Sequence, residues 1–216
     1  MIWLALIVGG YLLGSIHFCR ILGIVFKHVD ICEKSYDRNP GAANAFFYCS
    51  KPIGIAGLIL DLLKGFLPVY LAIRLVDIEN PLFILVMLAP VLGHAFSIFN
   101  KFKGGKCIST IFGELFALLL TNVNPYLFFV LAFGDIFFSF VVKILPGNLR
   151  AAIFFTILIL ATIPICVYMS QYTILVGTVS VSLVSLYKHL PIFDPRDEHA
   201  RKHLEKRAAR KAARGR

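Results

Sequence analysis

The stretch Leu92-Gly93-His94-Ala95-Phe96-Ser97-Ile98-Phe99-Asn100-Lys101-Phe102-Lys103-Gly104-Gly105-Lys106 decides how this chain folds and what it can bind. One apolar run leads into it and another leaves it, so it sits where a hydrophobic segment meets water. Phe99 and Phe102 can hold the turn against a membrane surface while Lys101, Lys103 and Lys106 gather beside the Gly104-Gly105 pair. Two consecutive glycines let successive backbone N–H groups point into one concavity, which suits an anion. A phosphate or a phosphoryl ester is the guest this chemistry implies. The blander role is a cytoplasmic loop, basic only to orient its neighbouring helices.

On both sides of that loop the composition is that of a membrane protein. The chain has 216 residues, 58% of them hydrophobic, and a mean hydropathy of +0.80. A helix needs about 20 apolar residues to cross the hydrocarbon core of a bilayer, and several stretches reach that length. The apolar segments are continuous rather than alternating, which excludes a β-barrel pattern. The expected fold is all-α, with seven transmembrane helices over about 2–26, 52–75, 82–99, 107–121, 126–145, 149–169 and 171–188. Residues 1–188 form the membrane domain, and 189–216 a basic cytoplasmic tail. The first segment has no basic leader and no small-residue cleavage signal, so it is expected to be a retained span.

Orientation follows from the lysines and arginines. The loops at 27–51, 99–106 and 143–150 and the tail carry nearly all of them, whereas the links at 75–81, 122–125 and 170–171 carry none, with only Arg74 at the edge of the first. Seven spans put these two sets on opposite sides, with the N-terminus outside and the C-terminus in the cytoplasm. The net charge of +10 does not point to nucleic acid, because residues 189–216 alone hold nine of the 22 basic and four of the 12 acidic residues. A basic tail beside a span faces anionic lipid. Five cysteines without C-x-x-C spacing indicate neither a disulfide framework nor a zinc site, and no metal or cofactor is implied.

Other polar residues stand within or beside the spans. Asp61 and Lys64 share one face of the second helix, as a structural ion pair or with Lys64 near a bound phosphate. Asn39-Pro40-Gly41-Ala42-Ala43-Asn44 is a turn whose asparagines can bond a polyol or phosphate, or cap the next helix. His94 is open to the roles of base, phosphate ligand or packed residue. Glu114 and Asp135 are intramembrane acids, for which an ion pathway is the alternative; no broken-helix pair or repeat supports a transporter. The spacing His189 to Asp194 matches an H-x-x-x-x-D pattern by coincidence, since the α/β context of that motif is missing.

Three blocks of residues resemble the PlsY family of integral-membrane acyl-phosphate:glycerol-3-phosphate acyltransferases. They are Gly14-Ser15 with Asn39-x-Gly41-Ala42-x-Asn44, Leu60-Asp61-Leu62-Leu63-Lys64-Gly65-Phe66-Leu67-Pro68, and Gly93-His94-x-Phe96 through Phe102-Lys103-Gly104-Gly105-Lys106 with Thr110. Lys188-His189 falls where the family has a basic residue and a histidine. The resemblance implies transfer of a fatty acyl group from acyl phosphate to the sn-1 hydroxyl of glycerol 3-phosphate at the cytoplasmic face of a bacterial cell membrane. It implies Lys103, Lys106 and His189 as catalytic residues, and Gly104, Gly105, Asn39, Gly41, Asn44, Lys64, His94 and Thr110 as substrate-binding ones. Asp61 and Ser15 would support them. The partners implied are the two substrates and membrane lipids.

The chain also departs from that pattern. Asp37, Arg38, Ala43 and Phe47 stand where the family has Ser, Gly, Thr and Arg. His17 and Cys19 replace a Pro and a Gly, and Cys107 replaces the Gly after Gly-Gly-Lys. The departures leave a second reading: a catalytically lapsed or acceptor-changed homologue that binds a lipid or a partner protein.

Overall fold

The computed structural model describes residues 1–140 and 147–190. The expectations placed on 141–146 and on the tail beyond Leu190 lie outside those residues. The described residues form ten α-helices and no strand: α1 (Ile2–Gly14), α2 (Phe18–Lys27), α3 (Ile31–Lys34), α4 (Ala42–Tyr48), α5 (Lys51–Leu75), α6 (Leu82–Ala95), α7 (Ile108–Leu120), α8 (Pro125–Phe140), α9 (Gly147–Tyr168) and α10 (Tyr172–His189). A 3-10 turn at Ile98–Asn100 follows α6.

The helix ends follow local chemistry. The Asp30 side chain accepts from the Cys32 N–H at 2.9 Å and starts α3. Pro52 sits in the first turn of α5, where a missing N–H costs nothing. His28 closes α2 in a left-handed conformation, φ 53°, and the His28 and Val29 N–H groups return to the Ile24 and Gly23 carbonyls.

The first expected span, about 2–26, is two helices rather than one. α1 and α2 meet at a 42° bend. The residues of the break repay it through their carbonyls: Ser97 Oγ donates to the Ser15 oxygen at 2.6 Å, and Lys64 Nζ donates to the Ile16 oxygen at 2.7 Å. Helix termini leave carbonyls without intrahelical partners, and here buried donors from two other segments supply them. The long polar loop expected over 27–51 is likewise not structureless, because it contains α3 and α4.

Close approach of backbones organises the bundle. A Cβ on Gly65 would overlap the Thr110 carbonyl, and one on Gly113 would overlap the Leu62 carbonyl, so α5 and α7 touch through their main chains. Gly14 meets Pro90, and Gly93 meets Tyr11, which does the same for α1 and α6. Small residues at such crossings are how helices associate inside a membrane. Phe83, Met87, Ile111, Leu115, Phe155 and Ile174 fill the core between helices.

The outside of the bundle is apolar. Ile55, Ile59, Leu63, Leu67 and Leu71 form an exposed stripe along α5, at four-residue spacing. Phe133, Ile136, Leu160, Val167, Val176 and Leu183 extend such surface over other helices. Soluble monomers rarely expose contiguous apolar surface on this scale, whereas hydrocarbon chains are a fitting solvent for it. Among the described residues, three helical stretches are long and apolar enough to cross a bilayer (Lys51–Leu75, Leu82–Asn100 and Asn148–Tyr168), and the bent α1–α2 pair makes a fourth if it counts as one span. α7 has 13 residues, about 20 Å at 1.5 Å per residue.

Candidate functional site

Residues from four distant parts of the sequence meet at one end of the bundle. The loop between α6 and α7 brings Lys106. The segment between α3 and α4 brings Asp37 and Asn39, and the first turn of α4 brings Asn44. The first turn of α9 brings Asn148, and the last turn of α10 brings Ser185 and His189. At the other end of the same helices, Asn124 Nδ2 donates to Gln171 Oε1 at 2.7 Å, and Gln171 Nε2 to the Val123 oxygen at 2.6 Å.

Lys106 is the hub. Its ammonium lies 3.2 Å from Asp37 Oδ2 and donates to Asn148 Oδ1 at 2.8 Å. Its carbonyl accepts from Ser185 Oγ at 2.8 Å. His189 Nδ1 lies 2.8 Å from the Ser185 oxygen, and its ring meets Phe155, so the end of α10 is locked to the basic loop. Lys188 Nζ sits 4.6 Å from the Phe96 ring centroid. Lys103 is exposed at the rim, beside the exposed Phe99 and Phe102.

The Asn turn wraps around Asp37. Asn44 Nδ2 donates to Asp37 Oδ1 at 2.9 Å and to the Asn39 carbonyl at 2.8 Å, while the Asn39 N–H donates to the same Asp37 oxygen at 3.2 Å. Asn39 Oδ1 is buried and has no hydrogen-bond partner among the described residues. Gly41 precedes α4 in an extended conformation, and a Cβ there would press on the Asn39 amide. Burial pushes the Asp37 carboxyl up. The Lys106 charge, the Asn44 amide and the Asn39 N–H outweigh burial and hold it below the ordinary carboxylate range.

The two glycines serve the loop's packing. A Cβ on Gly104 would overlap the His94 carbonyl, and one on Gly105 would overlap the His94 ring. The Gly105 N–H, an expected anion donor, gives its hydrogen bond to the His94 oxygen at 2.8 Å. His17 Nε2 lies 3.2 Å from that oxygen, and the two imidazoles meet edge to face. Lys101 and Phe102 both adopt left-handed backbone, φ 53° and 56°, which turns the loop back towards α7.

Asp61, Lys64 and Ser15 form a second cluster around the α1–α2 break. Lys64 Nζ lies 2.8 Å from Asp61 Oδ1, and Cys19 Sγ lies 3.5 Å from Asp61 Oδ2. Thr110 is buried, its hydroxyl without a partner among the described residues, and its carbonyl packs on Gly65. Glu114 is fully buried with neither oxygen partnered among the described residues. Asp135 takes no part in either cluster. No disulfide joins any of the five cysteines. Among the described residues, no three His, Cys, Asp or Glu side chains group as a metal ion needs.

Several contributors had no signal in the sequence. Asn148 reads as part of a turn and Ser185 as one of many small residues in a span, yet both bond Lys106 across 42 and 79 residues. Arg20 is a third. It forks onto Asp30 at 2.6 to 3.1 Å and donates to Asn100 Oδ1 at 2.7 Å; Asn100 Nδ2 donates to the Lys103 oxygen at 3.0 Å. A bidentate Arg–carboxylate pair carries geometric specificity, and here it ties α2 to the basic loop. Phe47, where the resemblance expects Arg, is 87% exposed.

A family model described as glycerol-3-phosphate acyltransferase matches residues 4–193. A glycerol-3-phosphate acyltransferase of Endomicrobium trichonymphae is 35% identical over 182 residues, 83% of this chain and 84% of the relative. One of Maridesulfovibrio salexigens is 38% identical over 133 residues, 61% of this chain and 67% of the relative. The fold is similar to the crystal structure of PlsY, an integral membrane glycerol 3-phosphate acyltransferase, in its lysophosphatidic acid form. The TM-score is 0.71, with 27% identity over 88% of each chain; the glycerol 3-phosphate form matches with the same score at 26% identity. Matched by the family model along almost its whole length, the chain belongs to the glycerol-3-phosphate acyltransferase family.

Proposed function

We propose that this membrane enzyme takes its acyl group from acyl phosphate and delivers it to the sn-1 hydroxyl of glycerol 3-phosphate, releasing lysophosphatidic acid and inorganic phosphate. The observation that carries the reading is the Lys106 ammonium, held between Asp37 and Asn148 where the basic loop, the Asn turn and the ends of α9 and α10 converge. Acyl phosphate is already activated, so holding two reactants in register and neutralising the departing phosphate supply most of the acceleration.

In this mechanism Lys106 holds the donor's phosphoryl group and carries its charge as the C–O bond to phosphorus breaks. Lys103 draws anions to the rim, and Gly104 and Gly105 keep the loop close enough to His94 for Lys106 to reach inward. Asn39, Gly41 and Asn44 form the acceptor side with His189, which the bond between Ser185 and the Lys106 carbonyl keeps beside the lysine. Asp61, Lys64 and Ser15 shape the α1–α2 break that carries His17 to His94, and Thr110 seats α7 against α5. The acyl chain lies along the apolar helix faces.

Seven crossings, with α1–α2 as one, place this end of the bundle at the cytoplasmic face of a bacterial cell membrane and the Asn124–Gln171 end outside. The gathering of the basic loops at one end and of the uncharged links at the other supports that count. The membrane domain of this reading runs to the end of α10, so His189, expected at the start of the tail, belongs to the bundle instead; the basic composition of the sequence that follows suits anionic lipid.

Purified protein given acyl phosphate and glycerol 3-phosphate is expected to release phosphate, and Lys106→Ala to lower that rate by about 100-fold or more, the scale of losing one charge-stabilising donor. Equal release by both proteins overturns the reading.

A further inference from the structure

Residues 98–103 leave the bundle with little packing to hold them. Ile98, Phe99 and Phe102 are 49 to 66% exposed, and Lys101 and Lys103 are exposed as well. Lys101 and Phe102 both take left-handed backbone, which residues with a Cβ rarely adopt. Two such residues in succession persist only where their surroundings fix them. We propose that Arg20 does so, as a positioning residue that holds Lys103 where it meets the phosphoryl group of the acyl donor. The inference rests on reading the Lys106 site as the acyl-transfer site.

Asn100 is the link. The Lys103 N–H donates to the Asn100 carbonyl at 3.0 Å, and the Lys103 carbonyl accepts from Asn100 Nδ2 at 3.0 Å. Both main-chain groups of the lysine are thus bonded to one residue. The remaining polar side-chain atom of Asn100, Oδ1, accepts from Arg20 Nη1 at 2.7 Å. The ends of the loop are held elsewhere: Ser97 Oγ donates to the Ser15 carbonyl, and the Gly105 N–H to that of His94. Among the described residues, the hydrogen bond that reaches 98–103 from outside the loop is the one from Arg20.

The rest of the guanidinium explains why this bond is directed. Nε and Nη2 are occupied by Asp30 at 2.6 to 3.1 Å, and Asp30 is seated in turn by the Cys32 N–H at the start of α3. A guanidinium is planar, so two nitrogens fixed on a seated carboxylate aim the third in one direction. That direction is Asn100. A lysine in its place would keep the charge and the pairing with Asp30, but an ammonium is a point charge without a fork. The consequence lies in binding. An ammonium on a flexible stem loses freedom when it settles on a phosphate, and a fixed backbone lowers that cost before the ligand arrives. Arg20 therefore acts on capture of the donor, and no proton or group passes through it.

The test is steady-state kinetics of the full-length protein with acyl phosphate and glycerol 3-phosphate. Wild type is compared with Arg20→Lys, Asn100→Ala, Lys103→Ala and the double variant Arg20→Lys/Lys103→Ala. In Arg20→Lys and in Asn100→Ala, KM for acyl phosphate should rise about tenfold, the scale of one lost hydrogen bond to a charged group. KM for glycerol 3-phosphate and kcat should change less. The double variant should be no worse than Lys103→Ala alone, because placing a lysine that is absent gains nothing. An unchanged KM for acyl phosphate in either Arg20→Lys or Asn100→Ala overturns the proposal while leaving the acyl-transfer reading intact. A double variant clearly worse than Lys103→Ala overturns it too, since Arg20 then acts by another route. Equal losses for both substrates and for kcat mark a merely structural role and overturn it as well. A wild type without turnover overturns the acyl-transfer reading itself, and this inference with it.

Discussion

Arg38 and Cys107 occupy left-handed backbone, φ 50° and 67°, at the two loop positions where the resemblance expects glycine. The backbone shape of both loops is thus kept although the residue suited to it is gone. Such a conformation costs a residue with a Cβ about 1–2 kcal/mol, part of which glycine returns as unfolded-state entropy. Arg38 is exposed, so Arg38→Gly removes no packing and should stabilise the fold by up to about 1 kcal/mol, read as a higher unfolding midpoint in detergent. A lower midpoint contradicts the strain. Asp37 makes a second prediction at this scale. Its folded-state affinity for protons is depressed, so the stability it contributes is present above the ordinary carboxylate value of about 3.9 and lost as pH falls through the lower folded value. Acid unfolding should therefore lose this component below about pH 4 in the wild type and not in Asp37→Asn. An identical acid dependence in the two proteins would rule that linkage out. Lys106, Asn39 and Asn44 were legible because glycine and asparagine at short spacing announce a turn for polar guests. Asn148 and Ser185 were not, because their role exists only after two distant helices close on Lys106.

At the scale of elements, the helices α5, α6 and α9 are legible from continuous hydropathy, and breakers such as Asn122-Val123-Asn124-Pro125 mark the gap between α7 and α8. The break between α1 and α2 is not legible, since Gly14-Ser15-Ile16-His17 lies inside an apolar run and the carbonyls it exposes are met by partners 82 and 48 residues away. α3 and α4 escaped for the opposite reason. With four and seven residues they are too short to show a period and form by packing on α2 and α5. The break depends on a buried charge pair: Lys64 and Asp61 are each 1% exposed. Removing one partner of such a pair strands the other, at about 3–5 kcal/mol. Lys64→Met should therefore unfold at markedly lower denaturant than the parent. The double variant Asp61→Asn/Lys64→Met should recover part of that loss, because no charge is left unpaired. A single variant as stable as the parent would mean the pair does not hold the break.

For the whole molecule, the apolar exterior suits a bilayer, and the Lys106 cluster and the Asn124–Gln171 pair lie at opposite ends of the bundle. The proposed orientation rests on the charge asymmetry between loops, which acts through loop composition and needs no knowledge of packing. Cysteines introduced at Glu79 and at Lys101 should differ in intact cells: a membrane-impermeant maleimide is expected to label the first and to reach the second only after the membrane is opened. Labelling of both in intact cells would contradict the orientation. The most direct measurement is product analysis by mass spectrometry. Purified wild-type protein in lipid vesicles is supplied with acyl phosphate and glycerol 3-phosphate. Lysophosphatidic acid acylated at sn-1 should appear in a one-to-one ratio with released phosphate, and neither should appear with Lys106→Ala. Phosphate released without lysophosphatidic acid, or an acylated product that forms equally well without Lys106, would contradict it.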